Sequence, residues 1–362
     1  MQLTSGWLSR LVASRSFQSW AARFPLTRGA VKREGEALFD LVAGFCHSQV
    51  LYTVVTLDLP GRLLKAPASV EVLAEEAGVP PERMVVLLRA AAALGLLTSK
   101  KGLYRLTRRG AALAGVPGLK EMILHHDVLY RDLADPVAFF RGETETELAG
   151  VWPYVFGDEA APPEVIERYS ALMEGSQALV AEDVLRAISL KDVECLMDVG
   201  GGTGAFLIAA GKANPATTLW LVDLPEVAEL ASVRLAAAGM EGRSSVFGGS
   251  FLDDALPGGA DAVSLVRVLY DHDDDTVRVL LGKVHDALPP EGRLIIAEPM
   301  SGGDAPERAG DAYFALYTMA MRTGKTRSSA EIAELCREAG FDGIEMPRPR
   351  RPFVTRIVTA VR

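Results

Sequence analysis

From residue 193 onward, short apolar segments alternate with longer segments of helical periodicity. The apolar segments are ECLMDVGG, TLWLVDLP, DAVSLVRVLY and RLIIAEPM, and FVTRIVTAVR ends the chain. The helical segments include AFLIAAGKANP, EVAELASVRLAAAG, DTVRVLLGKVHDALPPEG and SSAEIAELCREAGF. Strands and helices that alternate at these lengths predict a parallel sheet covered by helices on both faces. Such sheets bind ligands beyond the carboxyl ends of their strands, which is where we expect a site.

Composition narrows the class of protein. The 362 residues are 49% hydrophobic and 23% charged, which allows a large buried core. The net charge of −9 argues against broad attraction to nucleic-acid phosphates. The three cysteines lie far apart, so we expect neither a disulfide framework nor a metal site, and we expect a cytoplasmic protein. No run of 18 uncharged apolar residues occurs, and no segment is expected to cross a bilayer.

Residues 1–33 form a basic amphipathic arm. They contain no acidic residue, and Trp7, Leu8, Leu11 and Val12 recur at helical spacing. The basic residues of the arm are Arg10, Arg15, Arg23, Arg28, Lys32 and Arg33. Such a segment can pack on a neighbouring subunit or make peripheral contact with a membrane, and the sequence leaves both possibilities open.

Residues 34–115 predict a small, mostly helical domain. We expect a helix from Ser69, a turn at 78–81, a second helix at 82–94 and a hairpin with its tip at 100–102. This order is typical of a winged helix. The second helix carries no Asn, Gln or Lys that could read base edges, which favours core or subunit contacts over nucleic-acid binding. A DNA-binding regulator remains the alternative from another class.

The string DVGGGTG, residues 198–204, follows the first apolar segment. Glycines at a strand-to-helix turn permit positive φ angles and let the backbone approach a ligand closely. Asp223 ends the next predicted strand, where a carboxylate can hold the two hydroxyls of a ribose. NAD and S-adenosylmethionine both fit this spacing. Asp198 favours the second, because a carboxylate there would repel a pyrophosphate and attract an ammonium group.

Several motifs together resemble one family. DVGGGTG, WLVDLP, RVLYDHDDD, LIIAEPM and RSSAEIAELCREAGF occur in the order found in small-molecule O-methyltransferases. The resemblance implies an α/β fold: a Rossmann-like catalytic domain at 191–362 that binds S-adenosylmethionine, and a winged-helix dimerisation domain at 34–115. Residues 116–190 would connect them and line the substrate site. A homodimer is implied.

A narrower similarity points to a substrate. The stretches LVRVLYDHDDDTV, DAYFALYTMAMRTGKTRS and RIVTAVR are similar to the carotenoid branch of this family. That similarity implies methylation of a tertiary hydroxyl on a carotenoid. The alternatives are a C-methyltransferase of bacteriochlorophyll synthesis, which shares the architecture, and an O-methyltransferase acting on a phenol.

The resemblance also implies which residues hold the cofactor. The glycines that should line its methionyl part are Gly200, Gly202 and Gly204. Asp223, followed by Leu224, should hold the ribose. Met173 matches a methionine that often packs beside the cofactor.

The adenine end departs from the family pattern. Gly249 stands where the family has an aspartate that reaches the adenine amino group. We therefore expect Ser250, Phe251 or Asp253 to recognise adenine. Arg267 occupies the family's basic position near the cofactor carboxylate.

The catalytic motif departs further. The family has H-D-W-x-D-E, and its histidine deprotonates a phenol. Here Tyr270 stands at that position, followed by Asp271 and His272. Glu298 matches a retained orienting acid, and Thr326 replaces a second one. We take Tyr270, Asp271, His272 and Glu298 as the catalytic candidates, with His272 sharing the face of Tyr270 if the chain stays extended.

Loss of the histidine suits an aliphatic hydroxyl. Such a group is too weakly acidic to ionise before attack, so catalysis would come chiefly from alignment. The residues of VWPYVF and DAYFALYTMAM could line an apolar tunnel or form ordinary core. His125 and His126 could reach the substrate or lie on a helix surface. The acidic run that begins at Asp273 is expected to cap a helix rather than bind a metal.

Overall fold

The computed structural model describes residues 6–150 and 163–362, and side chains from 175 onward in the helix that begins at 163. The chain divides into two compact units, Met1–Gly115 and Val116–Arg362.

The first unit is helical with one hairpin. Its helices are α1 (Gly6–Ala13), α2 (Arg15–Arg23), α3 (Arg28–Thr56), α4 (Leu59–Lys65), α5 (Val70–Ala77), α6 (Pro81–Ala93) and α7 (Arg108–Gly115), and its strands are β1 (Leu97–Lys100) and β2 (Leu103–Leu106). Ser69 caps α5 by accepting a hydrogen bond from the backbone of Val72, and Gly78 ends the helix in the left-handed conformation. The two helices and the antiparallel hairpin lie where the sequence predicted them. Whether they form a winged helix stays a prediction.

Helix α3 exposes a broad apolar face. Its large exposed side chains are Leu38, Phe39, Leu41, Val42 and Phe45. By length and composition α3 is the one helix among the described residues that could cross a membrane. A soluble core helix would bury such side chains, so this face requires a partner.

The second unit is built on a seven-stranded sheet in the order β5-β4-β3-β6-β7-β9-β8. The strands are β3 (Cys195–Val199), β4 (Thr218–Asp223), β5 (Ser244–Gly248), β6 (Ala262–Val266), β7 (Arg293–Glu298), β8 (Asp342–Glu345) and β9 (Arg356–Val361). The pairs among β3 to β7 are parallel, as predicted. The last two strands are antiparallel, so the sheet is mixed. The sequence reading missed β5 and β8, which are edge strands with mostly incomplete burial.

Helices of this unit cover both faces of the sheet, and others pack together in a separate apolar cluster. The helices of the unit are α8 (Leu119–Asp132), α9 (Pro136–Phe140), α10 (Glu147–Gly150), α11 (Pro163–Ala187), α12 (Ala205–Ala213), α13 (Pro225–Ala237), α14 (Asp274–Ala287), α15 (Ala315–Met321) and α16 (Ser329–Glu338). Short 3-10 turns span Glu241–Arg243 and Leu269–Asp271, and a π-helical segment spans Arg308–Phe314.

The core lies in two layers. In β3, Met197 belongs to the apolar cluster that contains Leu281 of α14, whereas Leu196 belongs to the one that contains Phe206 of α12. Successive side chains of a strand point to opposite faces, so each face has its own covering layer. The predicted two-sided covering is confirmed.

Candidate active site

A cavity of about 440 Å³ opens at the carboxyl ends of β3, β4 and β6. The glycine turn after β3 forms one wall, with Gly200 (φ 66°) and Gly202 (φ 56°) in the left-handed region. Open space lies where a Cβ of residue 202 would project, so a ligand can approach the backbone there. Gly204 does not line the cavity and instead begins α12 as its N-cap, with φ 81°.

Asp223 joins the two loops at this wall. Its Oδ2 accepts a hydrogen bond of 2.7 Å from the backbone N–H of Gly202, and its Oδ1 accepts one of 2.8 Å from that of Leu224. Burial raises the pKa of this carboxyl, and the two backbone donors oppose the rise. Asp223 and Leu224 both line the cavity, where each carboxylate oxygen has lone pairs left for a ligand.

Asp198 takes a different place from the one its sequence position suggested. It is fully buried and is not among the residues that line the cavity. Its Oδ1 accepts a hydrogen bond of 2.6 Å from the hydroxyl of Ser264 on the neighbouring strand. Burial raises its pKa to about 7. Its other oxygen, Oδ2, is buried without a partner among the described residues, and a role of Asp198 toward the cofactor stays a prediction.

The opposite wall follows β5. Gly249, Ser250 and Phe251 line the cavity, and their recognition of adenine stays a prediction. The alternative candidate Asp253 does not line it. Asp254 was missed by the sequence reading, although its Oδ2 accepts a hydrogen bond of 2.9 Å from the backbone of Ser250 and so fixes this loop.

Tyr270 lies in the 3-10 turn after β6 and is 1% exposed. Its backbone N–H donates to Oε2 of Glu298 at 3.1 Å, and its hydroxyl accepts a hydrogen bond of 3.4 Å from Arg267. Burial raises the pKa of this phenol further above its ordinary range, so Tyr270 stays protonated at neutral pH. It does not line the cavity directly.

His272 and Tyr270 do not share one face. Because Leu269–Asp271 is a 3-10 turn, the extended chain that would have aligned the two side chains is not formed. His272 lines the cavity beside the loop after β5, where its ring stands nearly perpendicular to that of Phe251, with ring centroids 5.3 Å apart. Burial lowers its pKa and keeps the imidazole neutral.

Asp271 also lines the cavity. It is 7% exposed, and its Oδ1 has no hydrogen-bond partner among the described residues. Burial raises its pKa well above the usual range, Glu298 adds to the rise, and Arg267 opposes it. Glu298 does not line the cavity, and burial raises its pKa to about 7.

Two further cavity residues were missed by the sequence reading. Gln177 on α11 and Thr323 after α15 line the cavity, and Gln177 Oε1 and Thr323 Oγ1 are buried without a partner among the described residues. The one available signal was that residue 177 lies one helical turn from the predicted position 173. The side chain of Met173 lies outside the described residues.

Arg267 connects these elements. It lines the cavity with φ 60° and donates a hydrogen bond of 2.6 Å to the hydroxyl of Ser176 on α11. Its other amino group reaches the hydroxyl of Tyr270. The guanidinium thus links the helix before the sheet to the turn after β6.

The acidic run beside the site begins a helix, as predicted. Asp273 is the N-cap of α14 and accepts a hydrogen bond of 2.8 Å from the backbone of Thr276. Asp274 pairs with the buried Arg327 at 2.7 Å and with Lys325 at 2.6 Å. Within residues 6–150 and 175–362, no group of three or more His, Cys, Asp or Glu side chains converges on a metal position.

His125 and His126 are neither cavity walls nor simple surface residues. Nε2 of His125 lies 3.0 Å from the hydroxyl of Tyr317, and Nε2 of His126 lies 2.7 Å from that of Tyr313. Tyr317 and Met321 belong to an apolar cluster of the core. VWPYVF, the other predicted tunnel segment, lies outside the described residues.

Comparison with known proteins places this geometry in a family. Residues 130–342 match the O-methyltransferase domain family, and residues 39–115 match the O-methyltransferase dimerisation domain. The second match covers most of the exposed face of α3 and supports a homodimer.

Two relatives are similar along nearly the whole chain. The demethylspheroidene O-methyltransferase of Cereibacter sphaeroides is 58% identical over 98% of this chain and 94% of its own. That of Rhodobacter capsulatus is 49% identical over 98% of this chain and 89% of its own. The solved structure of the S-adenosylmethionine-dependent methyltransferase SibL is 27% identical, with a TM-score of 0.76, over 90% of this chain and 98% of its own. The chain therefore belongs to the O-methyltransferase family.

Proposed function

We propose that this enzyme transfers a methyl group from S-adenosylmethionine to a tertiary hydroxyl of a carotenoid. The observation that carries the proposal is the fully buried, neutral Tyr270 at the position of the family's catalytic histidine. A phenol substrate needs a base there, whereas an aliphatic alcohol does not ionise before attack. The names of the two relatives at 58% and 49% identity support a carotenoid substrate.

The residues of the cavity fit S-adenosylmethionine. The open space at Gly202 admits a chain against the backbone, and Asp223 is held by two backbone N–H groups so that its remaining lone pairs can accept hydrogen bonds from ribose hydroxyls. Phe251 supplies an apolar ring and Ser250 a polar group on the opposite wall. Arg267 supplies a positive charge for a carboxylate.

S-adenosylmethionine, when bound, would supply a methyl group on a positively charged sulfur, which an oxygen nucleophile can take as the methyl–sulfur bond breaks and its electron pair leaves on a neutral thioether. We propose that Asp271 takes the proton from the substrate hydroxyl while the hydroxyl oxygen bonds to the methyl carbon. Asp271 borders the cavity, and its Oδ1 has no partner among the described residues. Burial raises the pKa of this carboxyl, so its ionised form is a stronger base than an ordinary aspartate. A cation in the cavity would favour that ionised form.

The remaining polar groups orient the hydroxyl. Gln177 and Thr323 each present a buried oxygen without a described partner, and both line the cavity. Such atoms are costly to bury unpaired, which is typical of groups that a ligand pairs when it binds. Tyr270 acts through other residues. Its hydroxyl accepts a hydrogen bond from Arg267, and its backbone N–H donates one to Glu298. Alignment of this kind can supply a large part of a rate enhancement.

A long polyene dissolves in lipid rather than in water. We therefore also propose that this enzyme works in the cytoplasm as a homodimer and meets its substrate at a membrane surface. The dimerisation-domain match supports the homodimer.

The test is transfer of isotope-labelled methyl from S-adenosylmethionine to three substrates in detergent, with products analysed by mass. The substrates are a 1-hydroxy carotenoid, a bacteriochlorophyllide and a catechol. Label on the carotenoid hydroxyl is expected. Label only on the tetrapyrrole or the catechol would keep the enzyme class and overturn the substrate and the explanation of Tyr270.

A further inference from the structure

The amino-terminal arm carries a charge opposite to that of the rest of the chain. The arm has six basic residues and no acidic residue, which gives it a charge of +6. The rest of the chain therefore carries −15, and the two sum to the net charge of −9. Arg10, Arg15 and Arg23 are all exposed on α1 and α2. A concentrated positive charge on an acidic protein marks a surface for an anionic partner.

The same arm exposes large apolar side chains. Trp7 is 65% exposed, Trp20 is 52% exposed and Leu26 is 86% exposed. The ring of Trp20 stacks on that of Phe24, with centroids 4.9 Å apart and planes at 16°. Tryptophan beside arginine on short helices is the composition of segments that lie in a lipid headgroup region, where the ring meets the acyl chains and the cation meets phosphate.

The arm lies before the segment that matches the dimerisation domain. That match begins at residue 39, whereas the arm ends at residue 33. Within the first unit, α2 packs on α3 and buries only Ala21. Helix α1 buries no residue. The opposite side of α2 is left for another partner.

Similarity to two carotenoid enzymes extends into the arm. Both demethylspheroidene O-methyltransferases match 98% of this chain, so the match reaches most of residues 1–33.

We infer that residues 6–33 are a docking surface for a bilayer that contains anionic lipid. The inference rests on the proposed function in one respect, since docking would bring the enzyme to a polyene held in that bilayer. A second copy of the chain is the competing occupant, and two arms would meet with six positive charges each. Nucleic acid is disfavoured by the exposed Trp7, Trp20 and Leu26, which a phosphate backbone would leave in water.

The test uses the full-length dimer and sedimentation with lipid vesicles. One set of vesicles is phosphatidylcholine alone, and the other contains about one third phosphatidylglycerol. The dimer is expected to sediment with the anionic vesicles at low salt and to release partly at high salt. Each basic residue near such a surface strengthens binding about fivefold, so the triple variant R10E/R15E/R23E should bind at least about 100-fold more weakly.

The matched control is K100E/K101E/R105E, which reverses three exposed charges of the β1–β2 hairpin. It changes the net charge equally and should bind as the unaltered enzyme does. W7A/W20A should weaken binding in a way that high salt does not mimic, since it removes the apolar contact. Equal weakening by both triple variants, or no binding of the unaltered dimer to anionic vesicles, would overturn the inference. Dissociation of the R10E/R15E/R23E dimer in sedimentation velocity would also overturn it and assign the arm to the second copy.

Activity separates this inference from the proposed function. Methyl transfer to a hydroxy carotenoid in detergent micelles should be unchanged in R10E/R15E/R23E, whereas transfer to the same carotenoid in anionic vesicles should fall at least about tenfold. Equal loss in both settings would contradict lipid docking. Absence of product from the unaltered enzyme in detergent, with vesicle binding intact, would reject the proposed function and leave the docking surface standing.

Discussion

The two ends of the cavity differ in how their polar groups are paired. At the end that fits the cofactor ribose, both oxygens of Asp223 accept backbone hydrogen bonds before any ligand arrives. At the end that we propose for the substrate, buried oxygens of Gln177, Asp271 and Thr323 have no partner among the described residues. The ribose position thus has its hydrogen bonds in place before a ligand binds, whereas the proposed substrate end leaves buried oxygens that a hydroxyl can pair.

This difference indicates that one end of the cavity mainly sets cofactor affinity and the other mainly sets the rate of methyl transfer. A prepared carboxylate loses little freedom when it binds a ligand, which favours affinity. Unpaired buried oxygens destabilise the free protein, and that cost is recovered when a hydroxyl binds between them. We therefore expect substitutions at the first end to change cofactor affinity and those at the second to change turnover.

Asp223→Ala should have the largest effect. Loss of charge-assisted hydrogen bonds to a ribose should weaken S-adenosylmethionine binding about 1000-fold, measured by calorimetry. Glu226→Ala, an exposed acid three residues further along, is the control and should bind normally. An unchanged dissociation constant for a folded Asp223→Ala enzyme would remove the cofactor assignment.

Glu298→Gln should change how stability depends on pH. Burial raises the pKa of Glu298 to about 7 from an ordinary value near 4.5, so the folded state holds a proton that the unfolded state releases. This contribution is fully present below pH 4.5 and is lost as pH rises through 7, which amounts to about 3 kcal/mol of unfolding free energy. The glutamine variant should lack that decline in denaturant titrations between pH 5 and 8. Glu334→Gln, in an exposed ion pair, should retain it, and equal slopes in all three proteins would contradict the prediction.

Asp271→Asn should lower turnover about 100-fold and leave cofactor affinity within a few fold, because an amide keeps the shape and cannot take a proton. Steady-state kinetics and calorimetry measure the two quantities. Asp275→Asn changes an exposed acid of the same run and should be silent. Turnover within threefold of the unaltered enzyme would show that the proton goes elsewhere.

Two threonine variants give the smallest effect and the sharpest contrast. Thr323→Val removes a buried hydroxyl without a described partner and should raise the unfolding free energy by about 1 kcal/mol while lowering activity. Thr318→Val removes a hydroxyl that is bonded to the backbone of Ala315 and lies 3.2 Å from the hydroxyl of Thr326, and it should lower stability by about 1 kcal/mol. Thermal unfolding of both variants would show whether unpaired oxygens at the proposed substrate end destabilise the free protein. The same sign for both would refute it.

The cofactor end could be predicted because its geometry is local in sequence. A strand, a glycine turn and a helix N-terminus place Gly200 and Gly202 at one sheet edge, and a parallel neighbour places Asp223 beside them. Asp198 shows the limit of that reasoning. It belongs to the same motif, but its Oδ1 bonds to Ser264 on the paired strand, and Asp198 is not among the residues that line the cavity.

The substrate end could not be predicted in the same way. Gln177, Asp271 and Thr323 come from segments far apart in sequence, and only the packing of α11 and the loop after α15 onto the sheet brings them to one cavity. His125 and Tyr317 are 192 positions apart, and the hydrogen bond between their side chains cannot be predicted from the periodicity of the sequence. The absence of the histidine at position 270 was readable, but the 3-10 turn that separates Tyr270 from His272 was not.

The central claim is that the substrate end orients an aliphatic hydroxyl without a base at position 270. The most direct test is the single-turnover rate of methyl transfer to a hydroxy carotenoid by Tyr270→Phe, with cofactor affinity measured beside it. We expect the rate to fall about tenfold at unchanged cofactor affinity, since one hydrogen bond to Arg267 is lost. A fall of about 10,000-fold would show that the phenol is itself the base, and an unchanged rate would show that its hydroxyl has no part in the reaction.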